Sequence, residues 1–223
     1  MTDASQVRAH RPTRAREPSI ASPVAPPPGA QRKLDAYLDL LVKWNKVYNL
    51  TAIRDRADMV THHLNDALAV LSHLPGAQSL RVLDVGTGAG VPGIPIAIAR
   101  PRWRVVLLDA NQKKVAFLTQ AVIELGLANV DAVAVRVEDY RPAAPFDVII
   151  SRAFSDLATF ARGALPHLAP QGRLVAMKGA YPQDEIAQLP GEVTIVAAPA
   201  LDVPGLDAQR HLIIMRRTPE RAA

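Results

Sequence analysis

The chain has 223 residues, 49% of them hydrophobic, which is enough for one sizeable α/β domain with extensions. It contains no cysteine, which excludes disulfides, thiolate metal sites and cysteine nucleophiles. The formal net charge of +5 favours a polyanionic partner such as nucleic acid, although such a charge is also ordinary at this length.

Residues 1–30 predict a disordered tail rich in proline and arginine. Six prolines fall between Pro12 and Pro28, and the run APPPG at 25–29 is incompatible with helix or strand. The N-terminus lacks the apolar core of a signal peptide, and no apolar run approaches the roughly 20 residues of a membrane span. We therefore expect a cytoplasmic protein without a membrane partner, and a second short tail over 218–223.

Residues 31–76 predict an N-terminal helical extension. Apolar residues from Leu34 to Tyr48 recur every three or four positions, the spacing of an amphipathic helix. A second stripe predicts a helix over about 57–74, with Asp55 or Asp58 as its N-cap. The Pro75-Gly76 pair ends that helix.

Short apolar strands then alternate with helices, which predicts a mostly parallel, doubly wound sheet in a domain over 77–217. The expected strands are 81–85, 105–109, 131–137, 146–151, 172–177, 193–198 and 210–216. Because no full helix separates the last two strands, they predict an antiparallel hairpin at one edge. The default oligomeric state is a monomer.

The glycine-rich segment RVLDVGTGAGVPGIP, residues 81–95, has two interpretations. Residues 88–93 match the G-x-G-x-x-G pattern of dinucleotide-binding turns. The series Asp84-x-Gly86-x-Gly88-x-Gly90 also looks like the S-adenosylmethionine loop of a methyltransferase. Asp109 ends the next strand, 21 residues after Gly88, where a carboxylate can accept ribose hydroxyls in either case.

Three features favour S-adenosylmethionine over NAD. A carboxylate at Asp84 would repel a pyrophosphate but suits a sulfonium and an ammonium group. The glycines begin at Gly86, two residues before the dinucleotide match. The terminal hairpin and the short chain fit a methyltransferase better than a dehydrogenase with a second domain, so an NAD oxidoreductase is the weakest alternative.

Several further motifs carry a family resemblance from about Tyr37 to Arg216. They are residues 43–52 (KWNKVYNLTA), 84–95, 107–109, 113–118, 137–138, 150–154 (ISRAF) and 177–179. In these motifs the chain resembles the bacterial 16S rRNA guanine-N7 methyltransferases of the G type, formerly called glucose-inhibited division protein B. The second helix departs from the family pattern, since Asn65 stands where an apolar residue is usual.

The resemblance implies a Rossmann-like class I methyltransferase with a seven-stranded sheet. It implies S-adenosylmethionine as methyl donor and N7 of a guanine near the decoding region of 16S rRNA as acceptor, in free RNA or in the small ribosomal subunit. The expected cofactor-binding residues are Gly86, Gly88, Val91, Asp109, Val137, Glu138 and Arg152. Arg152 would pair with the methionine carboxylate or with the target nucleotide.

The reaction needs little from the protein beyond positioning, because guanine N7 has a free lone pair and no proton to lose. No catalytic base is assigned for that reason. Ser151–Phe154 does not match the Asp/Asn-Pro-Pro-aromatic set that positions exocyclic amines. Phe154 would stack on the guanine or pack in the core, and Lys178 would hold a phosphate or remain solvated.

Other surface cations are candidates for RNA contact: Lys43, Lys46, Arg54, Arg56, Arg210, Arg216 and Arg217. His62, His63 and Asp66 are too few for a metal site, so no metal is expected. Two alternatives to the rRNA methyltransferase stay open: a regulator that binds S-adenosylmethionine without catalysis, and a methyltransferase with a substrate other than rRNA.

Overall fold

The computed structural model describes residues 25–152 and 154–219, so the parts of the predicted tails at 1–24 and 220–223 lie outside the described residues. The strands of the described chain are β1 (Arg81–Val85), β2 (Arg104–Asp109), β3 (Val130–Ala134), β4 (Phe146–Arg152), β5 (Leu168–Lys178), β6 (Val193–Ala197) and β7 (His211–Arg217). Its α-helices are α1 (Ala30–Tyr48), α2 (Arg56–Met59), α3 (Asp66–Ala69), α4 (Gly93–Ala99), α5 (Gln112–Glu124), α6 (Leu157–Ala164) and α7 (Gln183–Ala187).

Within the described residues the strands form one seven-stranded sheet in the order β3-β2-β1-β4-β5-β7-β6. Strands β1 to β5 are parallel, and β7 runs antiparallel between β5 and β6. The predicted parallel sheet with an antiparallel C-terminal pair is therefore confirmed. The direction in which successive strands are added to the sheet reverses between β1 and β4. Ligands of such sheets bind at the carboxyl ends of the strands on either side of this switch point.

The second predicted helix is one helical stretch of mixed type. It begins at α2, where Asp55 accepts hydrogen bonds from two backbone amides. A π-helical turn follows over Val60–Asn65, then α3, and a 3₁₀ turn over Val70–Ser72. Turns of π type recur at functional sites because the wider turn redirects side chains, and this one lies beside the pocket described below.

The helical extension shares a core with the sheet. Leu34, Tyr37 and Leu41 of α1 are fully or almost fully buried in the same cluster as Val82 of β1. The next residue, Leu83, points into a second cluster on the opposite face of the sheet, as strand alternation requires. The extension is thus held against the sheet by the same apolar packing that stabilises the sheet, so its position is fixed.

Candidate active site

The glycine-rich loop follows β1 at the carboxyl edge of the sheet. Gly86, Gly88 and Gly90 all have positive φ, at 68°, 60° and 91°, which other residues adopt only with strain. The first residue of α4, Gly93, is required for a different reason. A Cβ there would lie 2.2 Å from Leu107 Cδ2, so the helix packs directly on β2. These constraints give the loop one shape.

Asp84 supports this loop from inside the protein. Its side chain is fully buried, and Oδ2 accepts hydrogen bonds from Thr87 Oγ1 at 2.6 Å and from the Gly93 amide at 2.8 Å. Burial raises the pKa of the carboxyl to about 6, against the opposing effect of those two hydrogen bonds. The sequence interpretation placed this acid near the ligand, whereas the structure puts it behind the loop.

Asp109 joins the loop to the end of β2. Its Oδ2 accepts from the Gly88 amide at 2.9 Å, and Oδ1 accepts from the Asn111 amide at 2.8 Å. Lys114 Nζ lies 3.8 Å from the same carboxylate. Asp109 therefore fixes the loop, and its predicted contact with ribose hydroxyls stays a prediction.

A first pocket of about 140 Å³, named here the cofactor-side pocket, lies at the ends of β1, β2 and β3. Four of the predicted cofactor residues line it: Gly86, Asp109, Val137 and Glu138. Gly86 is exposed and a Cβ there would approach only Phe154, so its backbone is open to a ligand. The structure thus assembles residues that are up to 52 positions apart in the sequence.

The other three predicted cofactor residues lie elsewhere. Gly88 is adjacent to the cofactor-side pocket through its hydrogen bond to Asp109. Val91 is 2% exposed and belongs to the core cluster that contains α1. Arg152, the last residue of β4, lines a different pocket.

This second pocket, the arginine pocket, has a volume of about 460 Å³ and lies between the helical extension and the ends of β4 and β5. Arg152 NH1 donates to the His62 carbonyl at 2.8 Å and lies 3.3 Å from Asp66 Oδ2. Arg210 Nε donates to Asp66 Oδ1 at 3.2 Å. One buried carboxylate therefore holds an arginine from each of two distant segments, which the sequence analysis missed.

His63 lies beneath the arginine pocket and is 2% exposed. Its Nε2 is 3.0 Å from Thr51 Oγ1, and its Nδ1 is 3.4 Å from Arg152 NH2. Burial, together with the Arg152 charge, lowers the pKa of the imidazole to about 4, so the ring is neutral at pH 7. Within residues 25–152 and 154–219, no cluster of three His, Cys, Asp or Glu side chains could hold a metal ion.

Phe154 lines both pockets and so forms a shared wall between them. Its ring packs against Phe160 of α6, with the centroids 5.6 Å apart. The sequence also allowed Phe154 to stack on a base. The observed placement permits such stacking, because the ring is only half-buried. A ligand in either pocket would touch the same aromatic ring.

The candidate RNA-binding cations do not form one surface. Lys178 Nζ forms an ion pair with Glu185 at 2.7 Å, and Arg56 pairs with Asp35 and Asp39. Because β7 is antiparallel, Arg216 and Arg217 lie at the edge of the sheet opposite both pockets. Lys43 and Lys46 are exposed on α1.

The strand order and the loop at the end of β1 define a Rossmann-like fold of the kind found in class I methyltransferases. The solved structure of a mutant of MtNAS in complex with S-adenosylmethionine has this fold, with a TM-score of 0.57 and 12% identity over 85% of this chain and 76% of that one. Residues 30–213 match the family of rRNA small subunit methyltransferase G (GidB). The chain belongs to this family of rRNA methyltransferases.

Curated relatives agree along most of their length. The ribosomal RNA small subunit methyltransferase G of Laribacter hongkongensis is 55% identical over 177 residues, which cover 79% of this chain and 84% of the relative. That of Nitrosospira multiformis is 51% identical over 195 residues, covering 84% and 88%. Separately, no helix in the described part of the chain is long and apolar enough to span a bilayer.

Proposed function

We propose that this protein transfers a methyl group from S-adenosylmethionine to N7 of a guanine in 16S rRNA, near the decoding region. The observation that carries the proposal is that Phe154 lines both the cofactor-side pocket and the arginine pocket. A donor in one pocket and a base in the other would meet at that ring.

The residues of the cofactor-side pocket suit the donor. When bound, S-adenosylmethionine supplies an electrophilic methyl group on a sulfonium centre. The open backbone of Gly86 and the amides around Gly88 would approach the methionine moiety, and Asp109 would accept from the ribose hydroxyls. Val137 and Glu138 would flank the adenine, and Val91 would support the loop from the core. None of these roles needs a metal.

The arginine pocket suits a purine with an exposed acceptor edge. Phe154 would stack on the base, while the guanidinium groups of Arg152 and Arg210 would contact its phosphate or carbonyl oxygen. Asp66 neutralises part of that positive charge, and His63 is uncharged at pH 7. The reaction needs no general base, because guanine N7 carries no proton. Orientation of the guanine therefore supplies most of the rate acceleration.

The test uses labelled S-adenosylmethionine with naked 16S rRNA, 30S particles and 70S ribosomes, followed by mapping of the modified base. We expect label on one guanine N7 in at least one of these substrates. Label on another atom or base would reject the assignment, and label on none of the three would favour the regulator that binds the donor without catalysis. Label on a small molecule or protein alone would favour a substrate other than rRNA.

We also propose that the protein acts as a monomer in the cytoplasm. A basic chain of this size can present both pockets without a partner subunit, since the described residues of one chain form each wall. Light scattering of the purified protein would test the oligomeric state.

A further inference from the structure

A groove of about 590 Å³ lies at the edge of the sheet opposite both pockets. It is lined by the start of α1, by the segment between α4 and β2, and by the turn that follows α5. Residues 27–29, which directly precede α1, form one wall. The proposed methyl transfer makes no use of it.

The groove is basic. Lys33, Arg102 and Arg104 line it, and none of its described lining residues is acidic. Lys33 Nζ donates to the Gly126 carbonyl at 3.1 Å, and Arg104 NH1 donates to the Ala128 carbonyl at 3.3 Å. Lysine has three N–H donors and arginine five, so each side chain keeps donors for an anion.

The groove is far from the site of transfer. Arg104 is the first residue of β2 and Asp109 the last, which separates the two edges by about 17 Å at ~3.3 Å per residue. Helix α1 connects them, because it begins at the groove and ends shortly before Thr51 of the arginine pocket. Arg32, Lys43 and Lys46 are exposed on one stripe of this helix, and the two carboxylates on the same stripe, Asp35 and Asp39, are both paired with Arg56.

From these observations we propose that the groove, named here the basal groove, binds the phosphodiester backbone of the rRNA substrate at a second position. The charge of the groove selects this occupant. Residues 1–24 contain four arginines against one Asp and one Glu, so that segment has the wrong sign to fill a basic groove. A second copy of this chain, at net charge +5, is disfavoured for the same reason.

Contact at both edges would make the RNA follow α1 from the basal groove to the arginine pocket. The RNA would then be gripped by its backbone at one end while a single base is presented at the other. Backbone contacts of this kind fix position without reading sequence. The proposal rests on rRNA being the substrate of this family, and it does not depend on which atom is methylated.

The experiment measures the Kd for a 16S rRNA fragment as a function of salt, without S-adenosylmethionine. The variant is the double substitution Arg102→Gln and Arg104→Gln. The control, Arg162→Gln with Arg173→Gln, removes the same charge from two exposed residues outside the groove. We expect the groove variant to reduce the salt slope by about 1.4 to 1.8 and to raise Kd roughly 10- to 50-fold at about 0.1 M salt.

An unchanged salt slope in the groove variant would overturn the proposal. Equal losses of RNA affinity in the groove and control variants would also overturn it, because they would show only an effect of net charge. Arg102→Glu alone covers the case in which the double variant does not fold, since Arg102 is exposed and its single described hydrogen bond is 3.5 Å long. It should lower the slope by at least about 0.7. Its Kd for S-adenosylmethionine should stay unchanged, and failure of the N7 assignment would leave this result intact.

Discussion

Asp66 Oδ2 lies 3.3 Å from Arg152 NH1, and this contact joins the helical extension to the last residue of β4. The Asp66 side chain is 2% exposed, and its second oxygen meets Arg210. Removing one partner from a buried ion pair leaves an uncompensated charge, which costs far more than the pair itself contributes. Asp66 therefore sets the positions of both arginines.

Asp66→Asn should lower the free energy of unfolding by about 3 kcal/mol, because two partly buried guanidinium groups lose their counter-charge. Methyl transfer should fall, since Arg152 and Arg210 would no longer be held in the arginine pocket. The Kd for S-adenosylmethionine should change little, because Asp66 does not line the cofactor-side pocket. Urea denaturation, calorimetric titration and a transfer assay measure the three quantities.

The matched control is Asp35→Asn, which breaks an ion pair with Arg56 whose side chains are 42% and 44% exposed. An exposed pair contributes little, so the loss should be about 0.5 kcal/mol. If the two variants lost equal stability, Asp66 would not be acting as a buried counter-charge.

Gly93→Ala tests the close approach of α4 to β2. The new Cβ would lie 2.2 Å from Leu107 Cδ2 and 2.8 Å from Asp84 Oδ2, so the helix must shift away from the strand. We expect a loss of about 1–3 kcal/mol in thermal unfolding and weaker cofactor binding. Gly76→Ala is the control, since a Cβ there meets nothing within 4 Å, and a similar loss in that variant would contradict the steric account.

Sequence reasoning predicted the sheet because its signals are local. Apolar runs, glycines at turns and caps such as Asn111 specify each element by itself, and Asn111 does accept from two amides at the start of α5. The hairpin prediction needed only the absence of a full helix between the last two strands. The order of the strands was not part of that prediction, because the topology rules for parallel sheets leave several orders open.

Other features depend on contacts that no local signal encodes. The predicted third strand extends to Val137, yet β3 ends at Ala134. Val135 and Val137 continue the alternation because they pack in the second core cluster, not because they pair with a neighbouring strand. Apolar spacing likewise predicts a helix over 57–74 but does not reveal the π-helical turn within it, because an α-helix and a π-helical turn both bury one face.

The candidate site was predicted unevenly for the same reason. Gly86 and Asp109 lie at the ends of adjacent strands, so their proximity follows from the topology. The topology does not predict which residue pairs with a given charge. The ion pair of Lys178 with Glu185, for example, is seen only in the three-dimensional structure. The burial of Asp84 behind the loop also depends on how α4 packs.

The pH dependence of stability should contain two opposing contributions. Burial raises the pKa of Asp84 from 3.8 to about 6, so ionisation of this carboxyl destabilises the folded state. The contribution of Asp84 to the free energy of unfolding therefore falls as pH rises from about 4 to 6. Burial and the Arg152 charge lower the pKa of His63 from 6.5 to about 4, so protonation of this ring destabilises the folded state. The contribution of His63 to the free energy of unfolding therefore rises as pH rises over the same interval. The two slopes should largely cancel.

Single variants should expose each slope. Asp84→Asn removes the falling contribution, so stability should rise with pH between about 4 and 6, by on the order of 1 kcal/mol per pH unit relative to the unmodified chain. His63→Gln should show the reverse sign. Urea denaturation at several pH values measures both, and parallel curves for the two variants would refute the assignment of the shifts.

Asp109→Ala should weaken the binding of S-adenosylmethionine by about 10- to 100-fold, the value of one or two hydrogen bonds to a charged group. The carboxylate accepts from the Gly88 and Asn111 amides, so its loss would loosen the loop as well as remove the proposed acceptor for the ribose. Asp131→Ala is the control, because this acid is exposed on the neighbouring strand β3. Calorimetric titration gives both Kd values. Asp109→Asn keeps an acceptor for only one of these two backbone amides and carries no charge, so it should give a Kd between those of the unmodified chain and Asp109→Ala. Equal Kd values for Asp109→Ala and Asp131→Ala would remove Asp109 from the site.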